Sequence, residues 1–384
     1  MRWDFPVALV KMGHYPLHHG GLWIARSLGR AGVPVYAMTE SAVTPLAQSR
    51  YVTRIGPPLD PGATDAANHR SLQAALSRIA CPVVAIATDD EAAVWLAEQR
   101  PAGCVLPDLD PGLPRALADK WSLHEMCAVY GVSSPVTIVP VSRADLDDSS
   151  RRLRFPVVLK NSEAFARVTA PAVTSTIVMQ NAGELQAWAN EHFRPDRPPL
   201  VQEFASGDVA QKWSYQAYRS ARVLTSFTGL KKRDYPLHRG EATYVESLPN
   251  PDVSELGDHF LQSVGYAGMA DLDFVFDSRE RIYRLIDFNP RVGAIAAMCG
   301  TDDGLDLPRI AYLDLTGQQV HPGPQVDHRS FVVETNDGLA RAELDLADEP
   351  VTAICAYFAE DDRRPAMLVK ARRAVSRMRA RLAS

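Results

Sequence analysis

The sequence lacks the features that would place a protein in a membrane, on a nucleic acid or in an oxidising compartment. No apolar run is long enough to cross a bilayer as a helix, which takes roughly 20 residues. The opening Met1-Arg2-Trp3-Asp4 leads into only a brief apolar run and carries an acid, so no secretory signal is expected. The net charge is −5, with no large excess of either sign, so neither a polyanion nor an anionic lipid surface is an expected partner. Cysteines stand at 81, 104, 127, 299 and 355; their number is odd, and no pair has the spacing of a metal site or a redox motif. A reducing, cytoplasmic setting is the expectation. A dinucleotide fingerprint is missing too. Gly20-Gly21 follows a long loop from Lys11, without the G-x-G-x-x-G spacing.

What is present is a chain of 384 residues, 46% of them apolar, enough for a sizeable core in roughly two or three domains. Val7–Val10 reads as a buried strand, Leu22–Ala31 as an amphipathic helix stopped by Gly32, and Pro34–Met38 as the next strand. Strand, helix, strand with short connections implies a parallel sheet. The pattern repeats through Arg70–Ile79, Val83–Ala87, Asp90–Gln99 and Cys104–Leu106, so residues 1 to about 115 read as a doubly wound domain. His18, His19 and Thr88-Asp89-Asp90 fall at its strand ends, where ligands bind in open α/β sheets; capping is an equal reading for them. Pro111 to Pro114 mark a boundary.

The chemistry concentrates later. Leu272–Phe276 and Ile282–Ile286 are apolar runs joined by a polar turn, a hairpin pattern. Asp287 and Asn289 follow on one face, because side chains alternate in a strand. With Asp273 opposite, hard oxygen ligands converge in a way that suits Mg2+ and, through it, phosphate. Arg291 adds a fixed cation beside them. The competing reading makes Asp287 a turn former. Phe155–Lys160 reads as a strand ending in a lysine, which needs an anionic partner if buried. Lys120 opens a helix, and Pro199–Ala205 is a strand carrying Gln202-Glu203-Phe204. Lys231 to Gly240 reads as a long connection, and the tail from Gln318 as two short strands, near Phe331 and Ile354, and a basic last helix, Ala366–Leu382.

This order of lysines, strand and acid hairpin resembles the ATP-grasp superfamily, over nearly the whole chain from Val7 to Thr316. A narrower likeness is to the ATP-dependent carboligases, carboxylate–amine ligases that include D-aspartate ligase. It rests on residues 27–35, Ser49-Arg50-Tyr51, Asp119-Lys120, Lys231-x-Arg233-x-Tyr235-Pro236 with Gly240, and Gly265-Tyr266-x-Gly268. The resemblance implies an α/β and α+β architecture: a Rossmann-like (pre-ATP-grasp) domain over 1–117, then a two-lobed ATP-grasp fold. Its small lobe would span 118–200 and its large lobe, with the metal site, 201–318. A C-terminal extension, 319–384, would follow. It also implies site roles. Lys120 and Lys160 resemble the phosphate-contacting lysines. Gln202, Glu203, Phe204 and Ala205 resemble the adenine hinge, with Asp208 on the ribose. Asp273, Asp287 and Asn289 resemble the Mg2+ (or Mn2+) ligands, and Arg291 and Lys231 are the expected catalytic cations. Many relatives have Glu at the positions of Asp273 and Asp287, and Pro where Asn161 stands. The stretch 161–175 contains no glycine, whereas many relatives cover the phosphates there with a glycine-rich flap.

The implied reaction joins an acid to an amine. ATP phosphorylates the carboxylate to an acyl phosphate, the amine displaces phosphate, and ADP is released. Small-molecule acids and amines are the implied partners, with a homo-oligomer possible and nucleic acid or membrane excluded. Another ATP-grasp phosphotransferase or carboxylase-type enzyme, or a non-catalytic nucleotide-binding protein, remains open at this level.

Overall fold

A computed structural model describes residues 1–79, 82–161, 172–173, 176–204, 211–237, 240–346 and 352–383. The chain builds its sheets in sequence order. In the first, β1 (Val7–Val10), β2 (Val35–Met38), β3 (Val52–Gly56), β4 (Val83–Ala87) and β5 (Cys104–Val105) lie side by side in the order β3-β2-β1-β4-β5. All neighbours are parallel. The connecting helices are α1 (Gly20–Arg30), α2 (Asp65–Leu76) and α3 (Asp90–Gln99). Alternation explains why Val-Ala-Leu-Val is apolar at every position. Val7 and Leu9 enter one core cluster, Ala8 and Val10 another, on opposite faces.

The expected boundary at Pro111–Pro114 instead begins a short helix, α4 (Leu113–Ala118). Proline is tolerated there because first-turn amides have no intrahelical partner to lose. The next helix, α5 (Lys120–Tyr130), starts where the Asp119 carboxylate accepts from Ser122 N at 2.8 Å and ends at Gly131, φ +71°.

The second sheet is antiparallel. It contains β6 (Thr137–Ile138), β7 (Val157–Lys160), β8 (Ile177–Met179) and β9 (Leu200–Glu203), in the order β6-β9-β7-β8. Two helices, α6 (Arg143–Ser150) and α7 (Ala182–His192), supply Leu146, Leu185 and Ala189 to the core over Val157, Leu159 and Val201.

The third and largest sheet has β10 (Lys212–Arg219), β11 (Leu224–Tyr235) and β12 (Glu241–Ser247), followed by α8 (Pro251–Ser263), then β13 (Gly268–Asp277) and β14 (Ile282–Asn289). After α9 (Leu307–Leu315) come β15 (Ser330–Val332), α10 (Glu334–Glu343), β16 (Ile354–Cys355) and α11 (Arg364–Ala383). The strand order is β14-β13-β10-β11-β12-β15-β16, so the tail strands extend this sheet.

Several features differ from the sequence reading. β3, α4, β12 and α10 were not read from the sequence. Lys231 to Tyr235 is strand, where a loop was expected. Its charges hid it: Lys231 pairs with Asp273, Lys232 with Glu246, and Arg233 with Asp337. Opposite charges on neighbouring elements support a sheet, and a single sequence does not show them.

Alternation also gives the large sheet two unlike faces. Trp213, Tyr215, Ala217, Leu272, Phe274 and Phe288 share one core cluster with Val253 and Phe260 of α8. The residues between them, Lys212, Ser214, Gln216, Asp271, Asp273, Asp287 and Asn289, belong to the other face.

Candidate active site

That other face carries the acids. Asp273 is paired directly with Asp287 across the β13–β14 ladder, and Asp271 with Asn289. Each facing carboxylate holds a lysine from elsewhere. Asp287 Oδ1 accepts from Lys120, the first residue of α5. Asp273 Oδ1 accepts from Lys231 of β11 at 2.5 Å. Burial alone would push both ammonium groups down; the Asp287 and Asp273 carboxylates outweigh it and raise them. By the same balance, Asp287 is held below the usual carboxylate range despite burial, with Lys120 and Lys160 beside it.

Lys160 is different. At the end of β7 it donates to Gln202 Oε1 at 3.1 Å, and Gln202 Nε2 donates to Thr137 Oγ1 at 2.9 Å. Its partner is a neutral amide, so burial, and next the Lys120 charge, lower it to about 8. The Gln202 side chain thus holds Lys160 in place. Glu203 Oε1 accepts from Arg154 N at 2.8 Å, Glu203 N donates to Val136 O, and Phe204 N to Pro156 O, each at 2.9 Å. Glu203 and Phe204 line a small cleft with Pro135, Arg154, Asp277, Arg279 and Arg284. The expected hinge residue Ala205, the expected ribose contact Asp208 and most of the glycine-free stretch lie outside the described residues. Asn161 bridges the base of that stretch: Oδ1 accepts from Ala172 N at 2.7 Å and Nδ2 donates to Val173 O at 2.8 Å.

Arg291 is held at the end of the face. Its Nη2 donates to Asn289 Oδ1 at 3.1 Å, its Nη1 lies 3.4 Å from Asp271 Oδ2, and its Nε lies 3.0 Å from Asp90 Oδ1, the first residue of α3. The large sheet therefore meets the first sheet at this guanidinium. His18 and His19 lie close by; burial first and Arg291 second keep both imidazoles neutral, His19 down to about 4. Asp89 turns out to be a cap. Its carboxylate accepts from Ala92 N at 2.8 Å and from Met12 N and Gly13 N at 3.2 Å.

Sequence reasoning missed Asp271 and Gln216. Asp271 Oδ1 accepts from Gln216 Nε2 at 2.6 Å, and Gln216 Oε1 accepts from Gly293 N at 3.0 Å. Burial, then the neighbouring Asp273, raises Asp271 to about 7. The signal was available: Ala270-Asp271-Leu272-Asp273 puts two acids on one face of an apolar strand.

The donors suit a divalent cation. Among the described residues no three His, Cys, Asp or Glu side chains stand together as a complete cage. Two facing carboxylates and an asparagine fit Mg2+ in its usual nucleotide setting, where one or two carboxylates share the ion with phosphate oxygens.

No protein-family profile matches the chain. Among solved structures, N5-carboxyaminoimidazole synthetase from Staphylococcus aureus complexed with ADP is similar over 95% of this chain and 94% of its own, with TM-score 0.64 and 13% identity. L-amino acid ligase from Bacillus licheniformis matches over 82% and 75%, with TM-score 0.60 and 13% identity. The chain has the ATP-grasp fold. A further structural neighbour is the biotin carboxylase domain of Hydrogenobacter thermophilus 2-oxoglutarate carboxylase, in complex with MgADP, ADP and bicarbonate. It has TM-score 0.60 and 11% identity, covering 86% of this chain and 73% of that one. Among curated proteins, D-aspartate ligase of Enterococcus faecium (strain Aus0004) is 24% identical over 221 residues, 55% of this chain. The chain spans about half, 52%, of that relative's length. Among the described residues no helix is long and apolar enough to cross a membrane.

Proposed function

We propose that the protein is an ATP-dependent ligase that joins a carboxylic acid to an amine through an acyl phosphate, releasing ADP and phosphate. The observation that carries this reading is the Asp273–Asp287 pair, flanked by Lys120 and Lys231, on the polar face of a sheet with the ATP-grasp fold. The likeness to D-aspartate ligase and L-amino acid ligase supports it. The first sheet, over 1–117, is then the Rossmann-like domain, 118–200 and 201–318 the two lobes, and 319–384 the extension that completes the large sheet. The free thiols of Cys127, Cys299 and Cys355 fit the cytoplasm.

A carboxylate resists attack by an amine because its oxygen is a poor leaving group. In the first step a carboxylate oxygen attacks the γ-phosphorus of ATP, and the bond to ADP breaks. In the second the amine attacks the acyl carbon; a C–N bond forms, the C–O bond breaks, and phosphate leaves, taking up the amine's proton. Both steps need negative charge neutralised where it develops. Lys160, Lys120, Lys231 and Arg291 are the cations available, and Asp273, Asp287 and Asn289 would hold Mg2+, which supplies Lewis-acid stabilisation of the phosphates when bound. Gln202 and Thr137 orient Lys160, and Asp271 and Asn289 orient Arg291. Gln202, Glu203, Phe204 and Ala205 are the proposed adenine contacts, with Asp208 on the ribose.

The test is ADP release with ATP, Mg2+ and a panel of acid and amine pairs, with products read by mass spectrometry. Release is expected to need both an acid and an amine. Asp287→Asn keeps the shape but removes a metal-binding charge. It should cut turnover about a hundredfold or more while still binding ATP, and excess Mg2+ or Mn2+ should restore part of the loss. Full turnover in Asp287→Asn, or ADP release unaffected by any acid, would overturn the reading.

A further inference from the structure

The acid-bearing face of the large sheet continues past Asp271. Alternation carries it to Met269 on β13, paired with Tyr218 on β10. Over this end, between the sheet and α3, lies a cavity of about 70 Å3. Its wall includes Ala93, Leu96 and Ala97 of α3 with Pro107, Met269 and Leu315. Arg291 is the one charged side chain among the described residues that line it. Ala85, Ile86 and Ala87 of β4 also border it, so the cavity reaches the carboxyl end of a parallel strand, where ligands bind in such sheets. It lies where two sheets meet, and an apolar wall with few polar groups is the usual make-up of a small-molecule site.

The polar atoms of the wall are already engaged. Tyr266 Oη donates to Met269 O at 2.8 Å and Tyr218 Oη to Asp314 Oδ2 at 2.7 Å. Arg291 already faces Asp90 and Asp271. A side-chain carboxylate entering here would be a third acid beside one cation, stripped of water without a free partner. An aliphatic group meets no such cost and gains apolar contact. A cavity of about 150 Å3 admits a benzene ring; at less than half that size, this one suits roughly three or four carbons.

We propose that this cavity receives the aliphatic side chain of one of the two substrates, a small amino acid or carboxylic acid of about valine or leucine size. The side chain would lie beside Arg291 with its reacting group toward the Asp271–Asp273 end of the face. The site selects against a side-chain carboxylate, so this protein departs from the substrate in the name of its D-aspartate ligase relative. That the occupant is a substrate rests on the ligase reading; that the cavity takes a small aliphatic molecule does not.

The test fills the cavity. Ala97→Leu, and the milder Ala97→Val should the first not fold, change a wall residue that is none of the proposed phosphate or metal ligands. Binding of L- and D-valine, leucine, alanine and aspartate is measured by calorimetry with a non-hydrolysable ATP analogue and Mg2+, alongside ADP release. The wild type is expected to bind valine or leucine more tightly than aspartate. Ala97→Leu should weaken leucine roughly tenfold or more while leaving alanine and the nucleotide analogue unchanged. Aspartate binding best, no aliphatic binding to the wild type, or equal leucine affinity in both proteins with only a raised melting temperature would overturn the proposal; the last would make the cavity a packing gap. Should no acid and amine pair release ADP while leucine binding behaves as stated, the ligase reading falls and the assignment of the cavity stands.

Discussion

At the scale of single residues, Lys160 is where stability and the proposed chemistry oppose each other. Its ammonium is buried against an amide, not a carboxylate, which brings it down to about 8 from the usual ~10.4. The folded chain holds this proton less tightly than the unfolded chain. The charged lysine therefore costs stability fully below about pH 8, and the cost fades as pH rises from about 8 towards 10. Lys160→Met is expected to stabilise the protein by about 1–3 kcal/mol at neutral pH, with the advantage shrinking in urea titrations repeated near pH 10. The same variant should bind ATP more weakly, since a charge-assisted contact is lost. A bound phosphate would restore the proton, so wild-type ATP affinity should fall above about pH 8, with proton uptake visible by calorimetry in buffers of different ionisation enthalpy. A variant that is less stable at pH 7, or that binds ATP as well as the wild type, would show that Lys160 has another role.

At the scale of elements, the polar edge of β11 is fixed by α10. Asp337 of α10 accepts from Arg233 Nε at 2.8 Å and Nη2 at 3.0 Å, and from Thr243 Oγ1 at 3.0 Å. The Arg233 guanidinium also stacks 4.2 Å from the centre of the Tyr244 ring. Asp337 is 2% exposed, so the pair is desolvated and its geometry is satisfied. Asp337→Ala leaves Arg233 buried without its carboxylate and should cost about 3–5 kcal/mol. Nucleotide affinity should hold, because Lys231, two residues along the strand, keeps Asp273. A urea midpoint equal to wild type would mean that α10 docks by its apolar contacts alone.

At the scale of the whole molecule, the C-terminal segment closes the chain onto its beginning. Arg26 of α1, 2% exposed, donates to Asp362 Oδ2 at 3.0 Å and to the carbonyls of Ala356 at 3.2 Å and Tyr357 at 2.6 Å. Asp362 also accepts from Ser49 Oγ at 2.8 Å and Arg50 N at 2.9 Å. Next to it, Asp361 takes Arg30 at 2.8 Å and Tyr51 Oη at 2.6 Å. The first and third sheets are thus joined here as well as at Arg291–Asp90, at Ser27–Asp306 and through a shared apolar core. Asp362→Ala strands a buried guanidinium; a loss of about 3–5 kcal/mol is expected, with faster tryptic cleavage between 352 and 373. Equal cleavage rates in variant and wild type would show that α11 holds the segment without this clasp.

The sequence alone determined the alternation of β1 and β4, the helix stops at Gly32 and Gly131, and the hairpin that carries Asp273 on one strand and Asp287 on the other. These follow from local rules: a period of two in strands, a left-handed stop in helices, and a polar turn between apolar runs. The direct facing of Asp273 with Asp287 was decided by a register shift next to Asp273. The sequence did not reveal β11 beyond Thr228, because the partners that neutralise Lys231, Lys232 and Arg233 lie far away in the chain. Asp271 was passed over although its alternation with Asp273 was legible. Its partners Gln216 and Arg291 were not, because another strand and the turn after β14 bring them to it. Whether Lys160 meets a carboxylate or an amide was likewise decided by the pairing of β7 with β9. Burial and charge act through space, so the tertiary structure alone decided which cations are neutralised, which are desolvated, and where the apolar cavity beside Arg291 lies.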